Sequence, residues 1–338
     1  MNSKLILAFE SSCDDTSVAI VDTDYRVLVN LVSTQAEHLA FGGVLPELAS
    51  RLHLKNIMLL THNALEKAGL KLSDIDTVAV SVNPGLIGSL LVGLSFAKSL
   101  AWSLSIPLIT VNHMLAHIFA NFIEHGVIGT PLLALVVSGG HTELVHFKTL
   151  TEFEVVGKTV DDASGESFDK TAKLLGLGFP GGPVIDKLAK SGDPQYVHFP
   201  RALPAKDNFN FSYSGLKTAI RTWLAQQNDS IINDNLPSIA ASAQQAIIDP
   251  LINKSIGYAK KQMIPSILIA GGVAANTALR SQLTAKALKA GIKVYYPSIP
   301  LCMDNAAMVA AAAIPKLQAN MFSPLSVNAF SQKGTKAL

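Results

Sequence analysis

Two histidines, His113 and His117, stand four residues apart in the segment NHMLAH, and on a helix that spacing puts both imidazoles on one face, one turn apart. Neutral imidazole nitrogens in that arrangement suit a divalent cation. Two unrelated histidines at helical spacing are the plainer alternative. A third ligand has to come from elsewhere. Asp304, at the predicted start of the final helix, is the best candidate, although an N-cap aspartate is the other reading of that residue. Met114, Leu115 and Ala116 fill the gap between the histidines, so there is no H-E-x-x-H and no glutamate base of the zinc-protease kind.

A second set of residues suits a nucleotide. Three glycine-rich turns, Ser138-Gly139-Gly140-His141, Gly181-Gly182-Pro183 and Gly271-Gly272-Val273, would let a phosphate or ribose approach the backbone. Pro183 suits a first helical turn, which puts Gly181-Gly182 at a helix mouth with free N–H donors. Asp169, Asp186 and Asn276 lie nearby in sequence, and Asp186, one turn into its helix, either takes ribose hydroxyls or is a first-turn acid facing solvent. Neither G-x-G-x-x-G nor G-x-x-x-x-G-K-[ST] occurs, which argues against a Rossmann site and a P-loop. The acidic turn from Glu10 to Thr16 either positions a cation or leaving group or is a solvated hairpin turn. Its acidic residues disfavour a Cys13 thiolate.

The elements that must position these residues alternate between strand and helix, the α/β pattern. Strands are expected at 5–9, 16–21, 25–32, 77–82, 108–111, 132–137, 142–147, 266–270 and 293–296. Helices are expected at 47–68, 86–102, 113–123, 276–290 and from Asp304 to about Ile314, where Pro315 should end or kink the last one. A largely helical tract is expected from Ser214 to Met263. LAFESSCDDTSVAIV and LALVVSGGHTELVHF both read strand, small polar turn, threonine, strand, so two lobes of similar build are expected. The boundaries suggested are 1–110 with a C-terminal helix at about 304–338 for one lobe, and 111–303, with a helical insertion, for the other.

Composition limits the classes. At 338 residues the chain can bury a large core, and 49% hydrophobic against 15% charged residues excludes an extensively disordered chain. The richest apolar stretch, Leu86–Trp102, is interrupted by glycines, serines and Lys98 and reads as a buried helix, so no membrane association is expected. The first residues offer too short an apolar run for a secretory signal, and Cys13 and Cys302 make no disulfide framework, so a reducing cytoplasm is expected. A net charge of +2 means that RNA contact needs a local basic patch or partners.

The segments ESSCDDT, HLAFGGVLPELASRLH, NPGLIGSLLVG, NHMLAH, VSGGHTEL, DDASGESFDK, FPGGP, FSYSGLKT, IAGGVAANTALR and CMDNAAM run in order from Glu10 to Met308. Together they resemble the TsaD (Kae/Gcp/YgjD) family. The resemblance implies a two-lobed actin/Hsp70-like (ASKHA) fold and a cytoplasmic, metal-dependent acyltransferase. It implies transfer of the threonylcarbamoyl group of threonylcarbamoyl-AMP to N6 of adenosine 37 in tRNAs reading codons that begin with A. It also implies one Fe2+ per subunit, or Zn2+, on His113, His117 and Asp304. Nucleotide contacts are implied at Val137, Ser138, Gly139, Gly140, His141, Asp169, Gly182, Asp186 and Asn276. TsaB and TsaE are the partners implied, with the helix bearing Arg51 and His53 in the lobe that looks like the TsaB side. Glu10 and Asp14 are the candidates for proton transfer. This sequence has Asn83 before Pro84, Leu115-Ala116 in the metal helix and Met303 beside Asp304, where the family commonly has Gly, Glu-Gly and Thr. Alternatives are a carbamoyltransferase acting on another substrate, a non-catalytic TsaB-like partner and a metalloprotease.

Overall fold

The computed structural model describes residues 3–41 and 43–331. The chain forms two compact units, one running up to Ile128 and resuming at Pro297, the other Gly129–Tyr296. The first contains β1 (Leu5–Glu10), β2 (Asp15–Asp22), β3 (Val27–Thr34), α1 (Pro46–Ala68), β4 (Thr77–Asn83), α2 (Ile87–Leu104), β5 (Leu108–Asn112) and α3 (His113–His125). The second contains β6 (Leu132–Val137), β7 (Thr142–Phe147), β8 (Phe153–Lys158), α4 (Ser164–Leu174), α5 (Gly181–Ala189), α6 (Ser214–Ala225), α7 (Asp229–Asp234), α8 (Leu236–Lys261), β9 (Ser266–Ala270), α9 (Thr277–Leu288) and β10 (Lys293–Tyr295). The first unit closes with α10 (Ile299–Cys302) and α11 (Ala306–Gln318).

Each unit is built on a five-stranded sheet, and the two orders correspond strand for strand: β3-β2-β1-β4-β5 and β8-β7-β6-β9-β10. In both, a hairpin pair and a third antiparallel strand are followed by two parallel strands, so the repeat read from LAFESSCDDTSVAIV and LALVVSGGHTELVHF is a repeat of architecture. β4, β5, β6 and β9 are buried on both faces, which explains their continuous apolar runs; the edge strand β3 has mixed exposure. Gly69 stops α1 in a left-handed conformation (φ 66°) that lets its N–H reach back to the last carbonyls.

The structure departs from the sequence expectations in several places. Tyr25 is not in β3. It sits in the β2–β3 turn at φ 64°, where the Asp22 carboxylate accepts from the backbone of Asp24 and Arg26. Pro315 neither ends nor breaks α11, which continues to Gln318; the ring removes one N–H near the end, and burial of Pro315 and Leu317 holds the last turn. Beyond α11 the chain is irregular to residue 331, tied back by the Ser323 N–H to Leu108 O, the Phe330 N–H to Val82 O and Lys98 to Val327 O. The expected C-terminal helix of 304–338 is therefore shorter, and its part beyond 331 lies outside the described residues. The units meet at 128/129 and 296/297 rather than at 110/111 and 303/304, because α3 packs along α11 and stays in the first unit. β8 and α4 had no counterpart in the sequence reading.

α2 alone among the described residues is long and apolar enough to cross a membrane. It carries a buried stripe, Ser89, Leu90, Gly93, Leu94, Ala97 and Ala101, packed against β4 and α1. Such a one-sided stripe is the pattern of a helix lying on a sheet.

Candidate functional site

In the first unit, β5 runs directly into α3, whose N-cap Asn112 accepts from the N–H groups of Met114 and Leu115. This cap fixes His113 at the first helical position and His117 one turn on. Their ring centroids are 4.7 Å apart. Asp304 lies in the loop between α10 and α11. It is not the helix cap: Asn305 takes that role, its Oδ1 accepting from the Met308 N–H at 3.1 Å. The Asp304 carboxylate is thereby left to the histidines, with Oδ1 3.1 Å from His117 Nε2 and 3.5 Å from His113 Nε2.

His113, His117 and Asp304 can place one ligand atom each within 4.8 Å of one another. Atoms about 2.1 Å from a shared ion lie roughly 3–4 Å apart, so a small closing movement completes a site for one cation. Two imidazoles and one carboxylate, with further positions open, are a donor set that Fe(II) and Zn(II) both accept. The buried Nδ1 of His117 has no hydrogen-bond partner among the described residues. The residues present therefore fit a divalent metal.

The electrostatics are those of a compact charge cluster. Burial disfavours the charged form of His113, but Glu10 and Asp304 outweigh it and raise its pKa to about 9. Burial likewise opposes ionisation of Asp304, yet the two histidines hold it well below the usual carboxylate range. Glu10, at the end of β1, is also lowered despite burial, by His113 foremost. Its side chain is fully enclosed, with Oε2 3.0 Å from His113 Nδ1 and Oε1 accepting from the Ser12 N–H at 2.6 Å. Glu10 thus has no surface to offer a substrate. Asp14 is half-buried at the turn. Burial and the neighbouring Asp14 push the Cys13 thiol far up, in keeping with the expectation of an inert thiol.

The remaining candidates all lie in the second unit, where the Ser138–His141 and Gly271–Gly272 turns meet at the end of β6 and Gly181 packs on α4. A side chain at Gly271, held at φ 88°, would put its Cβ 2.5 Å from Val137 O, and one at Gly165 would come 2.6 Å from Ser138 O. These contacts need glycine and bring α4, the Ser138–His141 turn and the Gly271–Gly272 turn together. Gly139, Gly140 and Gly182 have open space where a side chain would be. Val137 is buried at the end of β6, and the His141 N–H donates to Ser138 Oγ at 3.1 Å.

The two candidate acids of this unit each accept from a backbone N–H. Asp169 Oδ1 accepts from the Gly181 N–H at 2.7 Å, anchoring the start of α5. Asp186 does not face solvent: it accepts from Thr277 Oγ1 at 2.9 Å and from the Thr277 N–H at 3.2 Å, at the start of α9. Asn276 caps α9 through Leu279 N–H and donates to Gln244 Oε1 at 2.8 Å. Asp186, Gln244 and Thr277 line a cavity of about 360 Å³ within this unit. Sequence reasoning missed Gln244 and Thr277; Thr277, next to Asn276 at a helix start, was the available signal.

A family model for the tRNA N6-adenosine threonylcarbamoyltransferase TsaD matches residues 26–311. The chain belongs to this family. Its relatives include the tRNA N6-adenosine threonylcarbamoyltransferase of Clostridium perfringens strain SM101, 48% identical over 97% of this chain and 97% of that one. The protein of the same name from Kosmotoga olearia is 49% identical over 96% of this chain and 97% of its own length. Among solved structures, HypF from T. kodakarensis superposes with a TM-score of 0.65 at 13% identity, covering 94% of this chain and 48% of that one. Component A of the Acidaminococcus fermentans (R)-2-hydroxyglutaryl-CoA dehydratase gives 0.52 at 13%, covering 94% and 99%. These likenesses show an actin/Hsp70-like fold, as the sequence resemblance implied.

Proposed function

We propose that this chain transfers the threonylcarbamoyl group of threonylcarbamoyl-AMP to N6 of adenosine 37 in tRNA. The observation that carries the reading is the meeting of His113, His117 and Asp304 in a chain of this family. These three would hold one Fe(II) or Zn(II) ion, which when bound supplies Lewis-acid polarisation to substrate oxygens. In the second unit, Val137 to His141, Asp169, Gly182, Asp186 and Asn276 are assigned to the AMP portion. The open glycines leave room for it, and Asp186, held by Thr277, is assigned to the ribose hydroxyls. In the reaction the adenosine N6 attacks the carbamoyl carbon, the N–C bond forms, the carbamoyl–phosphate C–O bond breaks, AMP leaves and N6 loses a proton. Asp14 is the acid of the β1–β2 turn with surface available to take it. The target base must be unstacked from its loop before attack.

RNA contact is assigned to the second unit, including Lys206, Lys217, Arg221 and Arg280. Residues 129–296 carry 17 Lys/Arg against 13 Asp/Glu, whereas the remainder carries 10 against 12. The partner TsaB is assigned to the outer face of α1 and α2, where Leu54, Met58, Leu59 and Trp102 are between 60% and 74% exposed. TsaE and a cytoplasmic location complete the reading. The test is reconstitution of the chain with TsaB, TsaE, a threonylcarbamoyl-adenylate synthase and unmodified tRNA, with the modified nucleoside read by mass spectrometry. His113→Ala should lower formation at least ~100-fold. Equal formation by both proteins removes the metal from the reaction, and no formation by wild type removes the activity.

A further inference from the structure

Glu10 is an acid buried at the end of a central strand, and a buried carboxylate is costly unless its oxygens are fully used. Both are used, in different ways. Oε1 accepts from the Ser12 N–H at 2.6 Å, which stops the carboxylate from turning. Oε2 lies 3.0 Å from His113 Nδ1, and Ser12 Oγ lies 3.1 Å from the same nitrogen. We propose that Glu10 is a positioning residue that holds a proton on His113 Nδ1, so that Nε2, the nitrogen beside Asp304, is the one that gives up its proton to a metal. The inference rests on the reading of His113, His117 and Asp304 as ligands.

A neutral imidazole has one N–H and one acceptor nitrogen, and a metal can take only the acceptor. An ionised carboxylate can only accept, so its contact with Nδ1 determines where the proton sits. The two histidines differ in this respect. His117 Nδ1 has no hydrogen-bond partner among the described residues while its Nε2 faces Asp304, so nothing holds its proton on the nitrogen away from the proposed metal. His113 is the prearranged ligand of the pair, and Glu10 does the arranging. This also accounts for the acid's seclusion: a group that acts through the ring needs no access to substrate.

Glutamine at this position makes a sharp test. The Ser12 N–H requires an oxygen opposite it, so the glutamine amide oxygen must face Ser12. The amide NH2 then faces His113 Nδ1, which has to accept, and the ring proton moves to Nε2. The full-length metal-free chain is titrated with Co(II) and with Zn(II) against a chromophoric chelator, for wild type, Glu10→Gln, Glu10→Ala and Ser12→Ala, with circular dichroism and urea midpoints as folding controls. Loss of such a supporting carboxylate typically weakens metal binding about 10–100-fold. Glu10→Gln should fall in that range and be at least as weak as Glu10→Ala, while Ser12→Ala stays within about 3-fold of wild type.

Nitrogen-15 NMR of the Zn(II)-loaded wild type should show His113 metallated at Nε2 and protonated at Nδ1, a readout that needs no variant to fold. Metallation at Nδ1, or wild-type affinity in Glu10→Gln, overturns the proposal while leaving the metal site intact. A wild type that binds neither ion overturns the ligand reading and this inference with it.

Discussion

Gly93 of α2 is in contact with the turn that follows Glu10, and replacing it should disturb that turn in a way a second substitution repairs. A Cβ at residue 93 would lie 2.3 Å from Ser11 Oγ, 3.3 Å from Ser11 Cβ and 3.6 Å from Val80 Cγ2. Only the first contact is impossible. Ser11 Oγ now donates to Ser89 O at 2.9 Å and is buried, so moving it breaks that bond. Gly93→Ala gains about 1 kcal/mol of helix propensity. It loses roughly 1–3 kcal/mol to overpacking and about 1 kcal/mol from the buried hydrogen bond. The expected net is about 2 kcal/mol of destabilisation. Ser11→Ala alone should cost about 1 kcal/mol. In the double variant the impossible contact is gone, the 3.3 Å contact is tolerable, and the propensity gain offsets the lost bond, so stability should return near wild type. A urea-denaturation cycle on the four proteins should give a coupling energy of about 2–3 kcal/mol. Additive effects, within about 0.5 kcal/mol, would refute the reasoning, since they would mean that the two side chains do not compete for the same space.

Other outcomes follow from the same coordinates. Asn276→Ala removes the α9 cap and leaves Gln244 Oε1 without its donor, so a loss of about 1–2 kcal/mol is expected in thermal or urea unfolding. His53 is buried between Thr16 Oγ1 at 2.8 Å and Cys13 O at 3.0 Å, and burial lowers its pKa below the ordinary 6.5. Between that lowered value and 6.5 the unfolded chain binds the proton and the folded one does not. Its contribution therefore falls as pH drops through this window and is constant above it; His53→Gln should flatten the urea midpoint between pH 7.5 and 5.5 relative to wild type, and an unchanged slope would place the titration elsewhere. Leu54→Glu and Trp102→Glu replace exposed side chains and should leave stability within about 0.5 kcal/mol while abolishing co-elution with TsaB on gel filtration; retained co-elution would move the partner to another face.

The strand–turn–strand repeat and the H-x-x-x-H spacing were legible because they are local. Short apolar runs broken by polar turns, glycine stops and one-turn spacing act within a few residues, and the sequence carries them directly. Asp304 was legible as a residue but not as a free ligand: only Asn305 taking over the cap releases it, and helix caps shift by a residue at no cost in pattern. Likewise Asp169 and Asp186 stood out as acids near glycine turns, while their engagement with Gly181 and Thr277 needed the packing of α4, α5 and α9 to be known.

Glu10 marks the limit most clearly. In the sequence it belongs to a polar turn, next to Asp14 and Asp15, and nothing local separates it from them. Strand β1 ends one residue later than its apolar run, and His113, brought from 103 residues away at the start of α3, meets the buried carboxylate. Local sequence determined which residue types were available and on which elements they ride. Tertiary structure alone decided which of them lose their water and which partners replace it, because burial is a property of surfaces brought together from distant parts of the chain.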